Sequence, residues 1–350
     1  MLLFNKIVSV LLLSFSLSFH PKVTVMSYNV ENLFDNVDNG TEYKEYDPGR
    51  GKWNSELFYK KLASISRVIK ASSKKGPDII ALQEVENKNT LNKLVEGYLK
   101  NMNYNYIVIV PKSRLATNVG IISRYPVKQV HSYYVSGWGE YPVRNILEAD
   151  ISVNGRLLYL FDNHWKSKSG GKAVTEISRR EAAGVLIKRL KEIHTVNPNA
   201  DIVVCGDFND DIDEYITAGK KYETAFIPAA ETVPEEYFKS SIFLSGIPEK
   251  LFVSSRIILY DPWYELIRRL NGKDVGSYVY RRKWETPDHI LLSYGLFDNK
   301  GLTYESGNFR VMKNSFLLSP DTGYPKRWSF LKSREGYSDH LPLIIVLEQR

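Results

Sequence analysis

Cysteine is almost missing from the 350-residue chain, which carries only Cys205. An internal disulfide is therefore excluded, and cysteine-ligated structural zinc with it. Proline and glycine nowhere gather into a linker and no repeat is present, so strand-like runs from residue 23 to 348 read as one large domain spanning 21–350. Charge of one sign is also scarce. Lys and Arg total 47 against 40 Asp and Glu, giving +7 and a pI near 9.1, a modest excess that suits phosphate-bearing partners without naming one. At 43% hydrophobic the chain can bury a sizeable core. No charge-free run reaches the roughly 20 residues of a membrane helix. The one from Ile7 to Phe19, after Lys6, fits the hydrophobic region of a secretory signal within residues 1–20. Export, periplasmic or secreted, is the expectation, and an uncleaved membrane anchor the lesser alternative.

What is present is a succession of short apolar strands that end in polar residues. Val23–Val30 alternates and closes on Asn29, Glu31 and Asn32; Asp78–Leu82 runs into Gln83, Glu84 and Glu86. Between them, 35–54 lacks an apolar period and reads as a long overhanging loop, and Glu56–Lys70 as an amphipathic helix with basic residues between its apolar positions. Asn154-Gly155 predicts a tight hairpin between Ile146–Val153 and Leu157–Asp162. That hairpin delivers Asn163 and His164, and a helix follows over Thr175–His194. Asp213–Trp284 is the least patterned region; its rings (Trp263, Tyr264, Tyr278, Tyr280, Trp284) lie among Arg268, Arg269, Arg281, Arg282 and Lys283, a mixture suited to bases or sugars as well as to core and solvated surface.

Ile202–Cys205 is too uniformly apolar for a strand with one wet face and reads as a buried central strand. Its continuation, Gly206-Asp207-Phe208-Asn209, places a carboxylate and an amide on one side if the chain stays extended. A base beside a neutral donor suits drawing a proton from water while holding a phosphate oxygen. Asp288 and the pair Asp339-His340 close two further strands. In α/β folds sites assemble at such carboxyl ends, and oxygen ligands without cysteine select a hard cation: Mg²⁺, with Mn²⁺ or Ca²⁺ as alternatives.

SYNVENL at Asn29, LQEVEN at Glu84, NVGIISRYP before Val127, DNHWKS at His164, GDFND at Asp207, PDHILLS at Asp288 and YSDHLPL at His340 stand in one order across residues 26–343. Together they resemble the endonuclease/exonuclease/phosphatase superfamily, the metal-dependent phosphohydrolases related to deoxyribonuclease I and exonuclease III. The resemblance implies an α/β (α+β) fold: a four-layer α-β-β-α sandwich, two mixed, mostly antiparallel sheets face to face with helices outside. It implies Glu84 as principal metal ligand, supported by Asn29, Glu31 and Asp339. It further implies Asp207 as the group that activates or orients the attacking water and Asn209 as a phosphate donor. His340 would face the scissile phosphate with its tautomer fixed by Asp288, and His164 would serve the leaving oxygen.

For substrate, the basic excess, the signal-like start and the Lys166, Lys168 and Lys172 loop beside His164 favour a nuclease acting on DNA or RNA, with those lysines gripping phosphate. A phospholipid or sphingomyelin phosphodiesterase is the rival, with Ser136–Val143 as a loop to meet a membrane. An inositol-phosphate phosphatase fits less well, because its Pro-x-Trp-Cys-Asp-Arg signature is replaced by Pro287-Asp288-His289. A non-catalytic phosphate-binding protein fits least, since every acid and histidine is kept. No protein partner is implied, and a monomer is expected.

Overall fold

The computed structural model describes residues 21–50, 52–110, 115–136, 143–251, 255–331 and 335–350. The signal-like segment and the centre of the Ser136–Val143 loop lie outside these. Among the described residues no helix is long and apolar enough to cross a membrane.

Sixteen described strands alternate with helices. In chain order they are β1 (Lys22–Leu33), α1 (Ser55–Ala71), β2 (Ile79–Val85), α2 (Lys88–Tyr98), β3 (Tyr106–Ile109), β4 (Asn118–Ser123), β5 (Val127–Tyr133), β6 (Ile146–Val153), β7 (Arg156–His164), α3 (Lys172–Val196) and β8 (Asp201–Asp207). After them come α4 (Glu214–Thr217), β9 (Phe226–Pro228), β10 (Ile242–Ser245), β11 (Ile258–Tyr260), α5 (Trp263–Arg269), β12 (Tyr278–Tyr280), β13 (Lys283–Glu285), β14 (Asp288–Leu292), β15 (Leu302–Val311) and β16 (Leu343–Gln349). One sheet has the order β15-β16-β1-β2-β4-β3 and the other β5-β6-β7-β8-β14-β11-β10-β9, with β12-β13 a separate hairpin. Both sheets are mixed and mostly antiparallel, with parallel pairs such as β1-β2 and β7-β8.

Alternation along the strands sorts side chains into layers. Val23 and Val25 of β1 join Val119, Ile121, Leu343 and Ile345 in packing against Leu147, Leu160 and Val203 of the second sheet. Met26, Tyr28 and Val30 belong instead to a second cluster with Leu57, Leu62, Ile65, Leu91 and Leu94 of α1 and α2. Ala182, Leu186 and Leu190 of α3 cover the far side of the second sheet. The sandwich is therefore helix, sheet, sheet, helix, as the resemblance implied. Cys205 is buried and points its thiol at the Phe161 carbonyl (3.4 Å), a packing residue.

Local signals fared unevenly in the less patterned third. The Asn154-Gly155 turn is formed, with Val153 paired to Arg156. Within the region that carried no pattern the structure forms β9, β10, β11 and the β12-β13 hairpin. These strands are three or four residues long, too short for alternation to register.

The parallel β7-β8 pairing positions the site. It runs in register from Leu158↔Asp201 to His164↔Asp207, so both polar ends emerge together. Gly206 makes this possible: its φ is 137°, and a Cβ there would sit 2.0 Å from the Asn163 carbonyl oxygen. The obstacle is backbone on a central strand and has no route of escape. Gly206→Ala is expected to destabilise the fold by about 3 kcal/mol or more, read as a fall in thermal midpoint; an unchanged midpoint would contradict the register.

Candidate active site

Asp207 sits where the ends of both sheets meet. Asn29, on β1 of the first sheet, donates from Nδ2 to Asp207 Oδ2 (2.9 Å) and to Glu84 Oε1 (3.2 Å). His164 Nε2, at the end of β7, stands 3.7 Å from Asp207 Oδ2 and 3.8 Å from Glu84 Oε1. His340 Nε2 approaches the same Asp207 oxygen at 3.8 Å, and its Nδ1 is 2.8 Å from Asp288 Oδ2. Ser277 Oγ also donates to that Asp288 oxygen, at 2.5 Å. β14 pairs antiparallel with β8 so that Asp288 lies opposite Asp207. A cavity of about 740 Å³ opens over this group, lined also by Glu31, Lys168, Lys172, Asn209 and Asp339.

Backbone irregularity aims the acids. Asn29 pairs with Gln83 and Leu33 with Val85, so residues 30–32 of β1 face Glu84 alone. At this double bulge Glu31, Asn32 and Glu84 all take left-handed φ values of 51°, 61° and 64°. Bulges of this kind redirect side chains next to functional sites, and each such residue costs roughly 1 kcal/mol. Lys61 of α1 holds the arrangement from beneath. It is fully buried and donates to the carbonyls of Glu31 and Tyr337 (3.0 Å each), joining the β1 end to the YSDH segment.

Two expectations need correction. Asn209 does not continue β8: the strand ends at Asp207, and Asn209 is left-handed (φ 52°), its N–H donating to Asp207 Oδ1 (2.9 Å) and its Nδ2 to the Trp165 carbonyl (3.2 Å). A turn closed on the Asp207 side chain won over an extended chain. Lys168 is not an open phosphate grip, because its ammonium is held by Asp211 Oδ2 (2.7 Å) and Glu214 Oε2 (2.6 Å). Lys172 reaches Glu214 at 3.3 Å and stays half exposed, while Lys166 lies outside the cavity lining. Of the rings singled out in sequence, Trp263 is core, whereas Tyr278 stacks on His340 with centroids 4.6 Å apart.

Sequence reasoning missed Arg327. Its guanidinium lies 3.1 Å from both Glu31 Oε1 and Asp339 Oδ2, and Trp328 N–H adds a bond to Glu31 Oε2 (2.7 Å). Nothing in the local pattern marks it out from Lys326 or Arg281.

The two histidines are driven apart. Burial, with Arg144 and His340 adding to it, holds His164 well below the usual imidazole range. For His340 burial is outweighed by Asp288 and Asp207, which hold its imidazolium well above that range. Burial, reinforced by Asp288 and opposed by His340, pushes the Asp207 carboxyl up to about 7. One neutral imidazole, one cationic imidazole and one carboxyl poised near neutrality thus share a pocket, the pattern by which environment divides acid from base roles.

The donor set suits a hard cation. Glu84 accepts one hydrogen bond on each oxygen, from Asn29 and from the Asn32 N–H (2.8 Å), and faces the cavity with lone pairs remaining. Asp207, Asp288 and His340 bring one ligand atom each within 4.8 Å of one another and form a second grouping able to hold an ion once His340 gives up its proton. Asn29 turns its amide nitrogen toward Asp207 and Glu84 and its oxygen to the Glu31 N–H (3.0 Å), so here it organises the acids.

The sequence matches the Endonuclease/Exonuclease/phosphatase family over residues 24–225 and 258–349. The chain belongs to that family. It is, accordingly, a metal-dependent hydrolase of phosphoester bonds. No curated protein matches it. Among solved structures, D. rerio TDP2 with a single-strand DNA product is 16% identical, covering 93% of this chain and 98% of that one at a TM-score of 0.53. Beta toxin from Staphylococcus aureus is 17% identical (94% and 100% covered, TM-score 0.51), and the human Nocturnin catalytic domain, with a bound sulfate, 17% identical (95% and 96%, 0.54). These likenesses concern the fold of the family.

Asp288→Asn removes the charge that keeps His340 protonated. In chelator, the His340 imidazole signals should titrate at least about one pH unit lower in the variant. A raised histidine pKa contributes stability fully present below about 6.5 and lost as pH rises through the folded value, so the variant's loss of stability should be larger at pH 5 than at pH 9. Matching titrations would show that Asp288 does not set the charge of His340.

Proposed function

We propose that the chain is a nuclease, hydrolysing phosphodiester bonds of DNA or RNA by in-line attack of water. The observation that carries this reading is the convergence on Asp207 Oδ2 of Asn29, His164 and His340 from both sheets. In-line displacement needs a proton acceptor for water, positive charge at the phosphate oxygens and support for the leaving oxygen. Asp207 takes the first part, oriented by Asn29 and the Asn209 N–H. His340 takes the second, since Asp288 keeps it charged. His164, neutral, donates a hydrogen bond to the leaving oxygen, and Asn209 lies at the rim for a phosphate oxygen.

Glu84 is the acid we assign to the cation, with Asn29, Glu31 and Asp339 around it; a bound divalent ion neutralises charge developing on the phosphate oxygens. The DNA product in the TDP2 complex of like fold supports a nucleic acid substrate, as do the basic excess and Lys172. The charge-free Ile7–Phe19 run supports export.

The test is cleavage of supercoiled plasmid and of single-stranded RNA by the full chain, with Mg²⁺ and with chelator. Metal-dependent cleavage should fall by about a thousandfold or more in Asp207→Ala and in His340→Ala. A folded protein that leaves both nucleic acids intact in Mg²⁺, Mn²⁺ and Ca²⁺, yet hydrolyses phospholipid or sphingomyelin vesicles, would replace the nuclease reading with the lipid one.

A further inference from the structure

The β12-β13 hairpin turns through just Arg281 and Arg282, since Tyr280 pairs with Lys283. Both arginines are left-handed, with φ values of 47° and 68°. Two-residue hairpin turns that need positive φ at both positions ordinarily carry Asn-Gly, because side chains beyond Cβ are strained there. Neither arginine forms an ion pair among the described residues; Arg281 lies over the Tyr280 ring at 5.2 Å. Strain of this kind persists where it serves a site.

Facing the hairpin is a loop closed on itself. Ser319 N–H donates to the Tyr324 carbonyl, Gly323 N–H to the Ser319 carbonyl and Lys326 N–H to the Leu317 carbonyl, each at 2.8 Å. The loop is tied to the hairpin at its tip: Tyr324 meets Trp284 edge to face at 6.1 Å, and its hydroxyl donates to the Arg282 carbonyl at 3.3 Å. Between hairpin and loop lies a groove of about 560 Å³, lined by Tyr278, Tyr324, Lys326 and Arg327 together with Asp321 and Glu335. It shares Tyr278, Arg327 and Asp339 with the cavity over Asp207, so the two are continuous.

We infer that this groove is a subsite for the nucleotide next to the scissile phosphate, an inference that rests on the nuclease reading above. Its rings offer stacking surface that tolerates any base; Lys326, paired with Glu335 at 3.4 Å, and Arg327, paired with Glu31 and Asp339, add cations that would have to share those acids with a phosphate. An acyl chain in the same place would cover Asp321 and the Lys326–Glu335 pair (3.4 Å) while offering no polar group to either, at a desolvation cost. Because hairpin and loop are already braced against each other, the subsite is formed before substrate arrives, which spares the ordering cost of binding.

The experiment compares kcat/KM for a short oligonucleotide with kcat/KM for bis(p-nitrophenyl) phosphate, a phosphodiester too small to reach the groove, using the full chain in Mg²⁺. Tyr324→Ala should lower the ratio of the two by about tenfold or more, mainly through KM for the oligonucleotide. The double variant Arg281→Asn/Arg282→Gly, which relieves the turn, should lower the same ratio while raising the thermal midpoint. A ratio unchanged in both variants, or an equal loss on both substrates, would overturn the subsite. A wild-type protein that hydrolyses the small diester but no nucleic acid would overturn the nuclease reading and the subsite together, whereas a wild type that cleaves nucleic acid with an indifferent ratio would remove the subsite alone.

Discussion

A buried hydrogen bond, Asn29 Nδ2 to Asp207 Oδ2 at 2.9 Å, joins the polar ends of two separate sheets. Everything else at the site depends on those ends arriving together. The first sheet and the segments flanking it supply Asn29, Glu31, Glu84, Asp339 and His340; the second supplies His164, Asp207 and Asp288. Neither half has a complete set of groups. Packing of Val25, Ile79 and Val119 against Leu160 and Val203 is thus also what assembles the chemistry.

The arrangement is held against opposing forces. Two carboxylates, Asp207 and Asp288, face each other across β8 and β14 with little access to water, and buried like charges do not remain together without compensation. His340 sits between them as the compensating cation, and the Asn29 amide and the Asn209 N–H complete the satisfaction of Asp207. Further out, Arg327 does the same for Glu31 and Asp339. Three left-handed residues at the β1-β2 bulge add strain that core packing must offset. A site so built is preorganised: its charges are placed before a phosphate enters, which is where electrostatic catalysis gains most.

Much of this was legible in the chain. Short apolar strands bounded by acids, amides and histidines located the site residues, because the strand period and its polar terminus are both local properties, although Asp288 opens β14 and Asp339-His340 precede β16 where both were expected to close strands. The Asn154-Gly155 turn and the helices α1 and α3 were readable for the same reason. What escaped was set by tertiary context. Asn209 looked like the next extended residue after Asp207, and only the closing of a turn on the Asp207 side chain decided otherwise. Lys168 looked free until the folded chain brought Asp211 and Glu214 to it. Lys61, one of several basic residues on its helix, is drawn under the site by two carbonyls from distant segments, and Arg327 lies in a stretch with no period at all. Strands β9 and β10 are defined by their neighbours in the sheet more than by their own residues.

The central claim is that catalysis depends on the cross-sheet contact between Asn29 and Asp207. Its most direct test is hydrolysis of bis(p-nitrophenyl) phosphate by Asn29→Asp, which keeps the shape of the side chain but sets a carboxylate where Asp207 and Glu84 receive an N–H. A loss in kcat of about a hundredfold or more with the fold intact by circular dichroism is the result this account predicts. Activity within a few-fold of the wild type would contradict it.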